Sequence, residues 1–168
     1  ITNNTEKLWG WGKIQTNYDK ATLILRQKFE LPKIRFEVGK ETVDKFSPGQ
    51  GRVLLNQFNY HPRPIFQGYK AYTKSLLEIN GNFYANPQQA PKYVIFHLNP
   101  IDKRMPTMED SQTLKMILRD YKPVLIEKNV LLLKHAIDEG GIITNHIKPL
   151  LTQEIQIGES LNLIPVNN

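Results

Sequence analysis

The sequence predicts an α/β fold: a layered, mostly parallel sheet with helices on both faces, ending in a β-hairpin and a β-rich C-terminal tail. Three observations predict it. Helical and extended patterns alternate through residues 17–135. The segment "KYVIFHL" holds a short apolar run between turn formers, as a strand covered on both sides should. The segment "PVLIEKNVLLLKH" contains two β-prone runs around Glu127, Lys128 and Asn129, which predicts a hairpin.

The elements follow in order. Residues 17–29 place Tyr18, Ala21, Leu25 and Phe29 at helical spacing, and Pro32 stops that helix. "LPKIRFEVGK" predicts a short second helix with Pro32 in its first turn and Gly39 closing it. "ETVDKF" carries the β-branched residues of a strand, and "SPGQGRVLLNQF" opens like a helix over residues 52–58. In "NQFNYHPRPIFQGYKAYTKSLLEIN", the phrase "NYHPRP" predicts a stiff connection because each proline fixes its own φ, and "IFQ" predicts a short strand. "AYTKSLLEINGNFYAN" predicts a helix with Tyr72, Leu76, Ile79 and Phe83 on one face. "EDSQTLKMILRDY" begins with acids that suit a helix N-terminus and repeats Leu114, Ile117, Leu118 and Tyr121. After Gly140 and Gly141 the pattern changes to "IITNHI", "EIQI" and "LNLIPV". Two units are expected: residues 1–138 as the α/β domain, and 139–168 as a β-rich extension or the start of a second unit.

Composition narrows the function classes. A chain of 168 residues, 40% hydrophobic and 23% charged, is long enough for one real core. Its longest apolar run, residues 130–133, is far too short for a membrane-spanning helix. Twenty-two basic and sixteen acidic residues give a net charge of +6, which favours anionic partners. The basic residues are scattered among acids, so no stripe suited to nucleic acid forms. There is no cysteine, which excludes disulfides, thiolate metal sites and a cysteine nucleophile. His61, His97, His135 and His146 lack metal-binding spacing, and "GQGR" lacks the third glycine of a dinucleotide fingerprint, so neither metal nor cofactor is expected. The first residue is not methionine and no signal-peptide pattern follows it, which leads us to expect part of a longer protein.

The candidate ligand-binding residues come from two loops. His61, Arg63, Gln67, Tyr69 and Tyr72 come from the first, and Asp102, Arg104, Glu109 and Asp110 from "IDKRMPTMED". Arginine, tyrosine and carboxylate together suit polyhydroxylated or anionic ligands, through bidentate hydrogen bonds and ring stacking. The same charges could instead pair with one another and pin the loops, and no nucleophile with a general base is evident.

The phrases "TVDKF", "LLNQFNYHPRPIFQGYKAYTKSLLEIN", "APKYVIF", "IDKRMPTMED" and "LLLKH" follow in that order between residues 42 and 135, and the resemblance they carry covers about residues 31–135. The chain thereby resembles the soluble extracytoplasmic region of a group of uncharacterised bacterial polytopic membrane proteins with a glycosyltransferase-like architecture. That resemblance implies a periplasmic or outer-face domain tethered by transmembrane helices outside this chain. Its partners would be the membrane-embedded part of the same polypeptide and a glycan or anionic lipid. The family supplies no catalytic residues to carry over.

Three functions are therefore expected to compete. The first is an accessory domain recognising a glycan or lipid-linked sugar. The second is a transferase or hydrolase using Asp102, Glu109 or Asp110 with His61 assisting. The third is a structural or oligomerisation domain.

Overall fold

The computed structural model describes residues 11–97 and 108–136, with side chains from residue 14 onward. Residues 98–107, the expected loop with Asp102 and Arg104, and the tail expected at 139–168 lie outside the described residues.

Helix α1 (Trp11–Phe29) runs longer than its periodicity predicts. Its apolar residues are largely uncovered: Tyr18, Leu23, Ile24 and Leu25 are exposed and Phe29 is half-buried. Helix α2 (Pro32–Val38) starts on proline and buries Ile34 and Val38. Its free N-terminal amides are satisfied from a distance, because the Glu127 carboxylate accepts hydrogen bonds from Lys33 N at 3.3 Å and Ile34 N at 3.0 Å. Strand β1 (Thr42–Phe46) follows, then α3 (Gly51–Leu55) and the two-residue β2 (Asn59–Tyr60). A single 3₁₀ turn at Gly68–Lys70 precedes α4 (Lys74–Ala85), and β3 (Tyr93–Phe96) comes next. Helix α5 (Ser111–Asp120), β4 (Tyr121–Glu127) and β5 (Val130–His135) complete the described chain.

The strands form one five-stranded sheet in the order β2-β1-β3-β5-β4. The expectation of a mostly parallel sheet holds only at one end. β1 pairs parallel with β2 and β3, whereas β3 with β5 and β5 with β4 are antiparallel. The reason is local: Lys128 and Asn129, at φ 46° and 61°, take the left-handed turn conformation that reverses the chain directly. With no crossover helix available there, the last strands run antiparallel.

The core divides by strand alternation. Val43, Tyr93, Ile95, Val130 and Leu132 pack with Leu31, Ile34, Val38, Val53 and Phe58. Their neighbours Phe46, Val94 and Leu133 pack with Phe83, Tyr84, Leu114 and Ile117. Phe46 and Phe96 stack at 5.3 Å.

Three local expectations need correction. "IFQ" is not a strand, because Pro62 and Pro64 contribute no N–H and the Asn80 side chain takes Ile65's backbone pair. That side chain accepts from Ile65 N at 2.9 Å and donates to Ile65 O at 3.0 Å. Helix α4 begins later than expected, at Lys74, where Thr73 caps Leu76 N at 3.3 Å. Tyr72 therefore stays outside the helix and 70% exposed, and the buried face is Asn80, Gly81, Phe83 and Tyr84. Helix α3 closes at Leu55, short of the expected 58, because the chain turns through Gln57 at φ 58°.

Candidate functional site

Alternation along "TVDKF" sends adjacent residues into two different polar environments. Asp44 points toward Tyr84 of α4, and Lys45 points toward the turn that leads into α3.

On the Asp44 side lies a buried ionic network. Arg63, 1% exposed, donates through Nη1 to Asp44 Oδ2 at 2.8 Å and to Lys45 O at 3.0 Å, and through Nε to Asp110 Oδ2 at 3.2 Å. Tyr84 Oη donates to Asp44 Oδ2 at 2.7 Å, and Asn80 Nδ2 to Asp110 Oδ2 at 2.8 Å. Asp110 also caps α5 by accepting from Thr113 N at 3.3 Å. Burial alone would lower the Arg63 pKa, but Asp44, Tyr84 and Asp110 raise it, so the guanidinium stays charged. Burial, and then Asp44, push the Tyr84 phenol well above its ordinary value, which keeps it a donor. Gly68 completes the packing: a Cβ there would lie 3.1 Å from Asp110 Cβ and 3.4 Å from Arg63 Nη2.

The sequence-predicted residues are accordingly dispersed. Arg63 and Asp110 meet, as a charge pair closed to solvent. Glu109 is buried beside them in sequence. His61 Nε2 bonds Gln89 O at 2.9 Å, its ring lies 5.3 Å from Phe83, and its backbone N–H extends the ladder to Val43 O. Gln67 O accepts from Lys70 N in the 3₁₀ turn, the Tyr69 ring carries the Lys70 ammonium at 5.7 Å, and Tyr72 faces solvent. The pairing of His61 with a loop carboxylate, on which the enzyme reading depends, is not among the interactions of the described residues.

On the Lys45 side the structure opens a crevice of about 280 Å³ at the carboxyl ends of β1 and β3. The chain leaves β1 toward α3 and proceeds from β3 to α5, helices that pack in the two different core clusters. Crevices at such diverging strand ends are where open α/β sheets place ligands. Lys45, Arg52 and His97 supply its charged or ionisable groups, and Leu25, Phe29, Pro48 and Leu55 its apolar walls. No described lining residue is a carboxylate.

Each basic group has a distinct setting. Lys45 is buried and donates to Pro48 O at 2.6 Å, Ser47 Oγ at 3.3 Å and Ser47 O at 3.4 Å, all neutral acceptors. Burial first, then Arg52 and Arg63, bring its pKa down to about 8 against a smaller upward pull from Asp44. These bonds hold a turn in which Ser47 (φ 79°) and Gly49 (φ 91°) both have left-handed backbone, and Ser47 Oγ also reaches His97 O. Arg52 lies over the Phe29 ring at 5.1 Å, and its Nη1 is buried with no hydrogen-bond partner among the described residues. His97 is held below its usual pKa by partial burial, then by Lys45 and Arg52.

Sequence reasoning passed over Lys45, Arg52 and His97. The signal available was "DKFSPGQGR": a lysine inside a strand, followed by a tight turn and an arginine. Read only against the dinucleotide fingerprint, it lacked a glycine.

No group of three or more metal-ligating side chains occurs among the described residues, and no described helix is long and apolar enough to cross a membrane. No family model, curated protein or solved structure matches this chain.

Proposed function

We propose that this chain is a ligand-binding accessory domain whose site is the crevice between the ends of β1 and β3, and that its ligand carries an anionic group. One observation carries the reading: Lys45, Arg52 and His97 converge on a single cavity whose described lining offers no carboxylate. An arginine with a buried, unpartnered N–H favours an incoming oxyanion, which supplies the missing acceptor and a charge-assisted bond. The sheet serves as the middle layer of the domain, with α1 to α3 on the crevice side and α4 and α5 on the other; the divided core supports this arrangement.

The resemblance carried by "NYHPRPIFQGYKAY" is what supports a domain outside the cytoplasm, beside a membrane-embedded part of the same polypeptide. A ligand that presents phosphate to the crevice, such as the phosphate end of a lipid-linked sugar, suits that setting. Calorimetric titration with sulfate and with inorganic phosphate tests the reading. Binding that weakens about tenfold in Arg52→Gln supports it, since a charged hydrogen bond contributes roughly 1.5–3 kcal/mol. Binding unchanged in that variant, or absent from the wild type, removes it.

A second reading rests on α1, which leaves Tyr18, Leu23 and Ile24 exposed. In a structural or oligomerisation domain this face would be covered by a partner. Sedimentation of the wild type against Leu23→Lys/Ile24→Lys tests that role: self-association abolished by the two lysines favours it, and a monomer in both cases opposes it.

A further inference from the structure

Resting on the anion-binding reading, we propose that the crevice recognises a phosphate monoester with a hydrocarbon stem, the head meeting Arg52 and the stem lying on Leu25, Phe29 and Leu55. The argument is one of wall chemistry. A site for sugar hydroxyls needs acceptors as well as donors, set in planar amide or carboxylate side chains. Here Lys45 and Arg52 can only donate, and His97 is the one described polar side chain in the lining able to accept.

The remaining wall is aliphatic and aromatic, and half-open. Leu25 is 43% exposed although it faces a cavity, and the Phe29 ring carries the Lys28 ammonium at 5.4 Å and the Arg52 guanidinium at 5.1 Å. An apolar stem seated there removes surface that is otherwise wet. It also excludes water from the head group, which strengthens the contact with Arg52.

The cavity's size sets the scale. About 280 Å³ accommodates a phosphate and a few methylenes, so a longer chain would have to leave through the open side past Leu25. The same head-and-stem chemistry occurs in a soluble alkyl phosphate and at the surface of a bilayer containing a long-chain phosphate. Both sources belong in the test.

The experiment compares inorganic phosphate, hexyl phosphate and hexanol by calorimetry on the full chain. It adds co-sedimentation with phosphatidylcholine vesicles containing a long-chain alkyl phosphate. Hexyl phosphate is expected to bind about tenfold more tightly than inorganic phosphate, the gain from burying roughly two methylenes. Leu25→Ser, at an exposed position, is expected to remove most of that gain, read as the ratio of hexyl phosphate to inorganic phosphate affinity within the same variant. Arg52→Gln should weaken both phosphates. Vesicle binding with the same dependence on Arg52 assigns the stem to a lipid; its absence, with hexyl phosphate still preferred, assigns it to a soluble ester. Equal affinity for the two phosphates overturns the stem and leaves the anion site standing. Hexanol binding as tightly as hexyl phosphate, or no phosphate binding at all, overturns the anion site as well.

Discussion

Asp44 and Lys45 are adjacent in one strand, yet they belong to regions built on opposite electrostatic terms. Around Asp44 charges of both signs meet: one guanidinium bridges the Oδ2 atoms of two carboxylates, to which a phenol and an amide also donate, and Asp44 Oδ1 is left buried without a partner among the described residues. Among the described residues that line the crevice around Lys45 the charges are all positive, and the lysine's own hydrogen-bond partners are neutral oxygens. A network of paired charges spends most of its bonding capacity on the fold, whereas a crevice with an unpartnered cationic donor, Arg52 Nη1, keeps capacity for a ligand. The difference explains why "NYHPRP", the phrase richest in apparent binding residues, supplies the structural arginine.

That contrast can be broken from either side. The largest effect is expected for Arg63→Met, which leaves Asp44 and Asp110 buried without their cation. Loss of roughly 3–5 kcal/mol in urea unfolding is the expected outcome, and a loss below ~1 kcal/mol would show that the network is solvated. Next, Gly68→Ala should cost about 1–3 kcal/mol by forcing a methyl against Asp110 and Arg63, measured by the same unfolding. Neither change should alter the anion selectivity of whatever protein remains folded.

The crevice should show the reverse pattern. Arg52→Gln is expected to weaken sulfate binding about tenfold while shifting thermal unfolding little, because Arg52 has no ion pair among the described residues to lose. The pH dependence follows from Lys45. Its folded pKa, about 8, lies below the ordinary lysine value of 10.5, so its charge is present below pH 8 and lost as the pH rises through that value. Sulfate affinity should therefore fall across pH 8, and bound anion should move the midpoint upward; a flat profile to pH 10 would separate Lys45 from the site. Folding stability should change in the opposite sense. Between about 8 and 10.5 the unfolded chain holds the proton and the folded chain does not, so the cost of burying charged Lys45 disappears as the pH rises. The smallest effect belongs to Tyr72→Ala, at 70% exposure, which should stay within about 0.5 kcal/mol of wild type.

Most of the element inventory was legible in the sequence. Local signals carried it: proline at the start of α2, Asp110 ahead of α5, the unbroken apolar β3, and the two β runs around Lys128 and Asn129. Where the reading failed, a distant group had intervened. Asn80, fifteen residues away, occupies the backbone of Ile65 and prevents a strand. Glu127 caps α2 from more than ninety residues away. Of the candidate site residues, the pairing of Arg63 with Asp110 matches the loop-pinning alternative. The crevice residues were missed because each looks ordinary alone.

The sequence by itself determined an α/β chain, most of its element order and the lack of cysteine chemistry, since periodicity, turn residues and composition act over a few neighbouring positions. Only the tertiary structure decided which charges are consumed and which are left to bind. Pairing depends on which side of β1 a side chain projects from and on what the rest of the chain brings there. In "TVDKF", one step along the strand separates a carboxylate locked to Arg63 from an ammonium at the edge of a cavity.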